Sequence, residues 1–162
     1  MMIAVSYFES PVGYLRLQAD EEGLQSLLLN TPPVDDEPSV TDAALHPVLA
    51  LVQQQLQEYF SGTRQEFTVP LSMQGTEFQL AAWQALQTIS YGSTASYKFI
   101  AAQIGRPKAM RAVGMANNRN PVAIIVPCHR VIGANGNLVG YAGGLDMKQW
   151  LLDHERRHAG NI

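Results

Sequence analysis

The hydrophobic pattern of this 162-residue chain changes at residues 74–76, Gln-Gly-Thr. Before them, residues 2–8 and 13–19 alternate apolar and polar side chains, which is the period of a half-buried β-strand. After them, apolar residues recur mainly at helical spacing. We therefore expect an α+β chain in two parts, residues 1–72 and residues 73–162.

The first part predicts a small αβ domain of short antiparallel strands plus a helix. Residues 10–13, Ser-Pro-Val-Gly, have the composition of a turn between the two alternating runs, and residues 24–29 form a third apolar run. Residues 30–42 are polar, acidic and proline-rich, which predicts a loop, and helical spacing follows over residues 45–60. No group of catalytic side chains stands out here, so we expect this part to be a scaffold.

The second part predicts mostly helices, including a helix-turn-helix. A Thr-Glu-Phe-Gln capping box opens a helix that should run to about residue 89. Ser96 can cap a helix over residues 97–104, and Pro107 suits the first position of a following helix that runs to about residue 116. Such helix pairs also occur in proteins that never touch DNA, so the pattern alone does not assign that function.

The distribution of charge favours nucleic acid as a partner of the second part. The net charge of −3 is the sum of an acidic part and a basic part. Residues 1–72 hold two basic and ten acidic residues, whereas residues 73–162 hold nine basic and four acidic ones. A positively charged domain can attract a polyanion, although half of a small protein is often basic without that function.

Other features of the sequence concern the compartment. No apolar run approaches the roughly 18 uncharged residues of a membrane span. The N-terminus has neither the basic region nor the long apolar core of a signal peptide. The single cysteine excludes an internal disulfide and fits a reducing compartment. We expect a cytoplasmic protein with no membrane association.

The single cysteine lies in the apolar segment 124–132, which has the composition of a strand. Most single cysteines in such a segment are small buried hydrophobes. Here Pro127 precedes Cys128, and His129 and Arg130 follow it. Because a free thiol has a pKa of about 8.5, basic neighbours favour the thiolate at neutral pH. From the residues alone, a reactive thiol and an inert one remain equally open.

The rest of the chain predicts a hairpin, a loop and a helix. Residues 131–132 and 138–139 flank an Ala-Asn-Gly-Asn turn, which predicts a β-hairpin. Residues 140–144 form a glycine-rich loop without the spacing of a phosphate-binding fingerprint. A last helix should begin near Asp146 and bury Trp150.

Six motifs stand in a fixed order over the second part. They are Tyr97, residues 111–117 (Arg-Ala-Val-Gly-Met-Ala-Asn), residues 120–121 (Asn-Pro), residues 127–131 (Pro-Cys-His-Arg-Val), residues 140–144 (Gly-Tyr-Ala-Gly-Gly) and residues 148–155. In this order and at this spacing they resemble the O6-alkylguanine-DNA alkyltransferases, also called methylated-DNA–protein-cysteine methyltransferases. Over residues 1–72 the resemblance rests only on the general layout.

The resemblance implies both a fold and a reaction. The fold would be a ribonuclease H-like scaffold over residues 1–72 and a DNA-binding alkyltransferase domain over residues 73–162. The alkyl group on guanine O6, and on thymine O4 if that base is also accepted, would pass irreversibly to Cys128 in one displacement. No cofactor takes part, and each molecule reacts once. The partner would be double-stranded DNA containing alkylated guanine, bound by a monomer.

The same resemblance assigns the chemistry to five residues. Cys128, as a thiolate, is the nucleophile, His129 is the base that acts through a water, and Glu155 orients His129. Asn120 braces the turn at the cysteine and helps to hold the thiolate. Tyr97 donates to the base as guanine O6 loses its carbon.

The resemblance also implies a surface that enters the minor groove of DNA with little sequence preference. A base must leave the stack to reach a buried thiol, and a long planar arginine can fill the gap. The residues expected to contact DNA are Lys108, Arg111, Ala112, Gly114, Arg130 and Tyr141. The residues expected to line the substrate pocket are Val131, Ala142, Gly143 and Gly144.

The chain departs from its relatives at two places. Ala142 stands where some members have a serine whose hydroxyl helps to donate to O6, so only a backbone N–H remains there. Some relatives bind zinc in the first domain through cysteines and histidines, but this chain has only His46 there, so we predict no metal. His154 and His158 lie four residues apart on the predicted last helix, a spacing that usually binds nothing.

Three other functions remain as alternatives. A non-enzymatic protein that only binds alkyl lesions would keep the pocket but replace the cysteine, so Cys128 argues against it. A cysteine hydrolase would need an oxyanion hole and would leave the helix-turn-helix unexplained. A helix-turn-helix regulator would leave Cys128, His129 and Glu155 without a purpose.

Overall fold

The computed structural model describes residues 3–133, 135–136, 138, 140–141 and 143–160. The first part contains strands β1 (Ala4–Ser10), β2 (Gly13–Ala19) and β3 (Leu24–Leu28) and helix α1 (Pro47–Ser61). The second part contains α2 (Glu77–Leu86), β4 (Ala95–Ser96), α3 (Tyr97–Gln103), α4 (Met110–Asn118), β5 (Val131–Ile132) and α5 (Leu145–His158). Single turns of 3-10 helix cover Ala43–Leu45 and Cys128–Arg130. The architecture confirms the predicted α+β class.

The strands and the helix of the first part form where the sequence predicts them. The strands pair antiparallel in the order β1-β2-β3. Gly13 in the first turn has φ 105°, a conformation that favours glycine. Helix α1 has Pro47 at its start and Gly62 in the left-handed conformation at its end. Its buried apolar stripe consists of Val48, Leu49, Val52, Leu56 and Tyr59.

Helices α2 and α3 also begin as predicted. Gln79 N–H donates to the Thr76 hydroxyl at 3.1 Å, and the Gln79 side chain accepts from the Thr76 N–H at 3.0 Å, which completes the capping box. Ser96 caps the first turn of α3. Trp83 of α2 is buried, and its Nε1–H donates to Ala116 O of α4 at 2.8 Å, which ties the two helices together.

The start of α4 corrects a prediction. The helix begins at Met110 and not at Pro107. Ala109 N–H donates to Arg106 O at 2.9 Å, so these residues close a turn in which proline occupies its favoured second position. Lys108 therefore lies in the turn before α4 and not on the helix.

The segment before the cysteine is not the strand that its composition predicts. Apart from one isolated parallel bridge between Val122 and Leu27, residues 121–127 are bends, turns and irregular chain, and Cys128 begins a 3-10 helix. Ile124 has φ 70°, a conformation that a β-branched residue rarely adopts. Ile125 N–H donates to Ala123 O at 2.8 Å, so the chain reverses within three residues. Local bonds replace the ladder of a strand here.

The hairpin predicted after the cysteine is absent from the described residues. Strand β5 instead pairs in parallel with β4, with Ala95 opposite Val131. Leu138 belongs to no strand. The other positions of that prediction, Ala134, Asn137 and Val139, lie outside the described residues.

One continuous hydrophobic core joins the two parts of the chain. It includes Leu17 of the sheet, Leu56 of α1 and Leu151 of α5. The edge of β3 also binds the backbone before the cysteine, because Leu27 N–H donates to Pro121 O at 2.8 Å. The first part thus supports the segment that carries the thiol. Over the ranges described, no helix is long and apolar enough to cross a membrane.

Candidate active site

Cys128 lies on a buried segment whose backbone is fixed by two asparagines, and it is only 6% exposed. Asn120 Nδ2 donates to Val126 O at 2.8 Å, and Asn120 Oδ1 accepts from the Val122 N–H at 3.1 Å. Asn117 Nδ2 donates to Cys128 O at 3.5 Å. Asn120 therefore closes the turn that precedes the cysteine, and Asn117 holds the cysteine itself.

The surroundings of the thiol partly offset the effect of its burial. Burial raises the pKa of Cys128, whereas the Asn120 amide, the Lys148 ammonium and the Tyr141 hydroxyl lower it. The net pKa is raised, so the resting group is a thiol and a base must remove its proton. The three opposing groups stabilise the anion once it forms.

His129 and Glu155 form a buried pair beside the cysteine in sequence. His129 Nε2 lies 2.6 Å from Glu155 Oε2, and neither side chain is exposed. Burial raises the pKa of Glu155, but His129 and Arg130 outweigh it and hold that pKa well below its usual range. Burial also lowers the pKa of His129, although Glu155 opposes this. The pair is therefore a carboxylate that accepts from a neutral imidazole.

The tautomer of His129 follows from these contacts. Because Nε2 faces a carboxylate, we assign the proton to Nε2. The other ring nitrogen, Nδ1, is buried and has no hydrogen-bond partner among the described residues. A neutral imidazole with a free lone pair is a competent proton acceptor.

Arg130 belongs to the same buried group. Its Nε donates to Glu155 Oε1 at 2.8 Å, its Nη2 to Glu155 Oε2 at 3.0 Å and its Nη1 to Ile89 O at 2.6 Å. The guanidinium also lies over the Tyr91 ring, 5.6 Å from its centroid. Arg130 is only 6% exposed, which speaks against the DNA contact expected from the sequence.

Two residues with no assigned function in the sequence analysis also act on this group, Lys148 through its charge and Tyr59 through a hydrogen bond. Lys148 is fully buried, and its Nζ donates to Val131 O at 2.6 Å. Burial lowers the pKa of Lys148, while the nearby charge of Cys128 raises it. Tyr59 of α1 donates its hydroxyl to Glu155 Oε2 at 2.7 Å. Lys148 lies within a recognised motif, but Tyr59 shows only the spacing of a core residue.

The helix pair α3–α4 carries a groove of about 430 Å³ lined by Tyr97, Lys98, Met110, Arg111 and Gly114. Arg111 is exposed, as are Ala112 on the same helix and Lys108 in the preceding turn. Burial raises the pKa of Tyr97, and the nearby Cys128 adds to the rise, so the phenol keeps its proton. Tyr97 therefore lines the groove and also lies close enough to Cys128 for the two groups to interact electrostatically.

The expected pocket residues lie around the start of α5. Val131 is fully buried. Gly144 has φ 93°, a conformation that favours glycine, and Gly143 lies against the Met147 side chain. The Tyr141 hydroxyl is buried on the side of the thiol, whose pKa it lowers. Ala142 lies outside the described residues.

No cluster of three or more potential metal ligands occurs within the described residues. The two histidines of α5 have other partners: His154 Nε2 bonds to Tyr59 O at 2.7 Å, and His158 Nδ1 bonds to His154 O at 2.8 Å.

Two family models match this chain. The DNA binding domain of 6-O-methylguanine DNA methyltransferase matches residues 77–157, and the ribonuclease-like domain of the same enzyme matches residues 3–73. A methylated-DNA–protein-cysteine methyltransferase of Mycolicibacterium paratuberculosis is 52% identical over 161 residues, which are 98% of this chain and 95% of that protein. The constitutive enzyme of that name from Bacillus subtilis is 48% identical over 91% of this chain and 92% of its own.

Solved structures give the same result. The O6-methylguanine methyltransferase of Mycobacterium tuberculosis has a TM-score of 0.87 at 43% identity, over 99% of this chain and 97% of its own. OGT of the same organism in complex with DNA has a TM-score of 0.85 at 44% identity, over 94% and 92% of the two chains. Fold and site define an α+β protein with a DNA-binding domain built around a buried cysteine. The chain belongs to the 6-O-methylguanine DNA methyltransferase family.

Proposed function

We propose that this protein repairs DNA directly by moving an alkyl group from guanine O6 to the sulfur of Cys128. Membership of the family supports the reaction class. One observation carries the assignment to this site. His129, next to the cysteine, presents a buried Nδ1 with no partner in the described chain, while Glu155 holds its other nitrogen.

The reaction consists of one proton transfer and one displacement. His129 Nδ1 takes the Cys128 proton through a water, and the Glu155 carboxylate stabilises the imidazolium that forms. The thiolate then attacks the alkyl carbon: the S–C bond forms, the O6–C bond breaks, and its electron pair stays on guanine. Tyr97, whose phenol is protonated, donates a hydrogen bond to the departing base. The guanine anion then takes up one proton, which balances the proton that His129 received from the thiol. The thioether product is stable, so each molecule reacts once.

Buried charges and amides prepare the thiolate. Lys148 opposes the effect of burial on Cys128, as does the amide of Asn120, which also closes the preceding turn. For Arg130 we propose an internal function in place of DNA contact, because its guanidinium holds both oxygens of Glu155.

We assign DNA binding to the exposed side of the α3–α4 pair, acting as a helix-turn-helix in the minor groove with little sequence preference. Gly114 supports this assignment. A Cβ there would meet only Tyr97, at an ordinary contact distance of 3.9 Å, so the fold itself does not require glycine. Close approach of DNA would require it. Arg111 would fill the gap left by the flipped base, and Lys108 and Ala112 would lie along the backbone and groove.

Finer features of this assignment are proposals as well. A division into domains over residues 1–72 and 73–162 is supported by the two matched ranges. We also propose a pocket formed by Tyr141, Val131 and the glycines at 143 and 144. Action as a monomer in the cytoplasm completes the proposal.

Intact mass after reaction with excess duplex containing O6-methylguanine tests the function. We expect a gain of one methylene, placed on Cys128 by digestion and absent in Cys128→Ala. Tight binding to the duplex without a change in mass would instead identify a lesion-binding protein. Repeated turnover on an acyl or peptide substrate would identify a hydrolase.

A further inference from the structure

Tyr59 brings the first part of the chain into the reacting centre. It lies on α1, is fully buried, and donates its hydroxyl to Glu155 Oε2 at 2.7 Å. The same oxygen accepts from His129 Nε2 at 2.6 Å. A single oxygen atom, Glu155 Oε2, therefore connects a side chain of the predicted scaffold to the candidate base.

We propose that Tyr59 is a positioning residue for the transfer reaction, holding the Glu155 carboxylate toward His129 so that Nδ1 of the imidazole is ready to accept the thiol proton. This inference rests on the proposed function and deepens it. It also gives the first part of the chain a function beyond support.

A second contact fixes the position of the hydroxyl. Tyr59 O accepts from His154 Nε2 at 2.7 Å, and His154 precedes Glu155 on α5. The ring packs against Phe60 and Phe67, with centroids 5.1 and 5.4 Å away. The ring also packs against that of His154, with centroids 5.3 Å apart, so backbone, ring and hydroxyl of Tyr59 all contact the turn of α5 that carries the carboxylate.

The hydroxyl is a permanent donor to this carboxylate. Burial and the charge of Glu155 raise the pKa of Tyr59 well above its ordinary value, so the phenol stays protonated. In the part of the chain that the structure describes, the other donors to Glu155 are His129 and Arg130. A buried carboxylate that loses a donor becomes more basic and less well oriented, since its oxygen has no water to replace the bond.

Removal of the hydroxyl therefore has two expected consequences. The more basic carboxylate stabilises imidazolium, so the pKa of His129 should rise. Among the described residues, the charged groups that shift the pKa of His129 are Glu155, Arg130 and Lys148, and Tyr59→Phe changes a contact of the first alone. An imidazole that is already protonated cannot take the thiol proton, so the acid limb of the transfer rate should move to higher pH.

Tyr91→Phe provides a matched control. Tyr91 lies edge-on to Tyr59, with ring centroids 6.2 Å apart, and burial together with the charge of Glu155 raises its pKa too. Its buried hydroxyl, however, has no hydrogen-bond partner in the described residues. The two variants each lose one buried phenolic oxygen beside the same carboxylate, and only Tyr59→Phe loses a bond to it.

The experiment is a pH profile of single-turnover methyl transfer from an O6-methylguanine duplex to both variants and the unaltered protein. We expect Tyr59→Phe to slow the plateau rate about tenfold, the size of one lost bond to a charged group, and to shift the acid limb upward. Tyr91→Phe should leave both features unchanged. An unshifted limb in Tyr59→Phe, or an equal shift in both variants, would overturn the inference.

A second measurement separates this inference from the proposed function. The NMR signal of the His129 Nε2 proton reports its bond to Glu155 without any DNA. Tyr59→Phe should move that signal downfield because the acceptor becomes more basic, and Tyr91→Phe should not. Failure of the unaltered protein to gain mass would overturn the function alone, whereas an unmoved proton signal would overturn the assignment of Tyr59 alone.

Discussion

Arg111 and Arg130 show how differently one chain can use the same side chain. Arg111 is exposed on α4 beside the groove, where it keeps its hydration. Arg130 is buried, and its guanidinium is committed to Glu155 and the Ile89 carbonyl. A buried charge depends on its partners, whereas an exposed one can adapt to whatever approaches. The molecule thus separates a fixed buried charge cluster from an adaptable surface.

Removing the buried arginine should have the largest effect. Arg130→Met leaves the Glu155 charge without its cation, which costs about 3–5 kcal/mol of the free energy of unfolding. Arg111→Met should change that free energy by less than about 0.5 kcal/mol, because Arg111 lies in solvent. Urea unfolding of the two variants measures the difference. Equal losses would abolish the distinction between the two arginines.

Lowering the pH should reduce the free energy of unfolding in two stages, because His129 and Glu155 in the buried centre titrate in different ranges. Folding lowers the pKa of His129 below its ordinary 6.5, so this contribution to stability is complete above pH 6.5 and declines as the pH falls below it. Folding lowers the pKa of Glu155 from 4.5, so its contribution is complete above pH 4.5 and declines at lower pH. The free energy of unfolding should therefore fall below pH 6.5 and more steeply below 4.5.

Glu155→Gln tests the origin of the second stage, because an amide does not titrate. The slope of unfolding free energy against pH below 4.5 should be smaller in this variant than in the unaltered protein. A slope of unchanged size would assign that stage to other carboxylates.

Lys148→Met should affect the thiol and not the DNA surface. Without the ammonium the pKa of Cys128 should rise further, so alkylation of Cys128 by iodoacetamide at neutral pH should slow about tenfold and recover at higher pH. Lys98→Met removes an exposed lysine of α3 and is the matched control. The same loss in both variants would show that Lys148 does not act through the thiol.

The sequence correctly predicted the helix starts that depend on residues close together in the chain. The capping box at Thr76 and the cap at Ser96 each depend on residues within one helical turn, and both were confirmed. The start of α4 and the strand at the cysteine were wrong, because Pro107 fits a turn as well as a helix and because Ile124 is packed into the core in a tight turn with φ 70°. An apolar composition carries no record of such packing.

The candidate site divides in the same way. Cys128, His129 and Glu155 were available from motif order, and the structure brings the last two together. The contact of Tyr59 with Glu155 joins residues 96 positions apart, and nothing in the helical spacing of α1 distinguishes a tyrosine that donates to a carboxylate from one that fills the core. Only the three-dimensional arrangement contains that information.

Substitution of Arg111, the exposed arginine of the comparison, should have the smallest effect. Arg111→Ala should slow methyl transfer from duplex DNA about fivefold, on the order of 1 kcal/mol for an exposed contact, because the vacated stack is no longer filled. Transfer from the free base O6-methylguanine needs no flipping and should keep its rate. Arg119→Ala, an equal loss of charge at the exposed end of α4, controls for general attraction to phosphate. Equal slowing on duplex and free base would show that Arg111 is a structural residue. Equal slowing of duplex transfer by Arg119→Ala would show that Arg111 contributes only its positive charge.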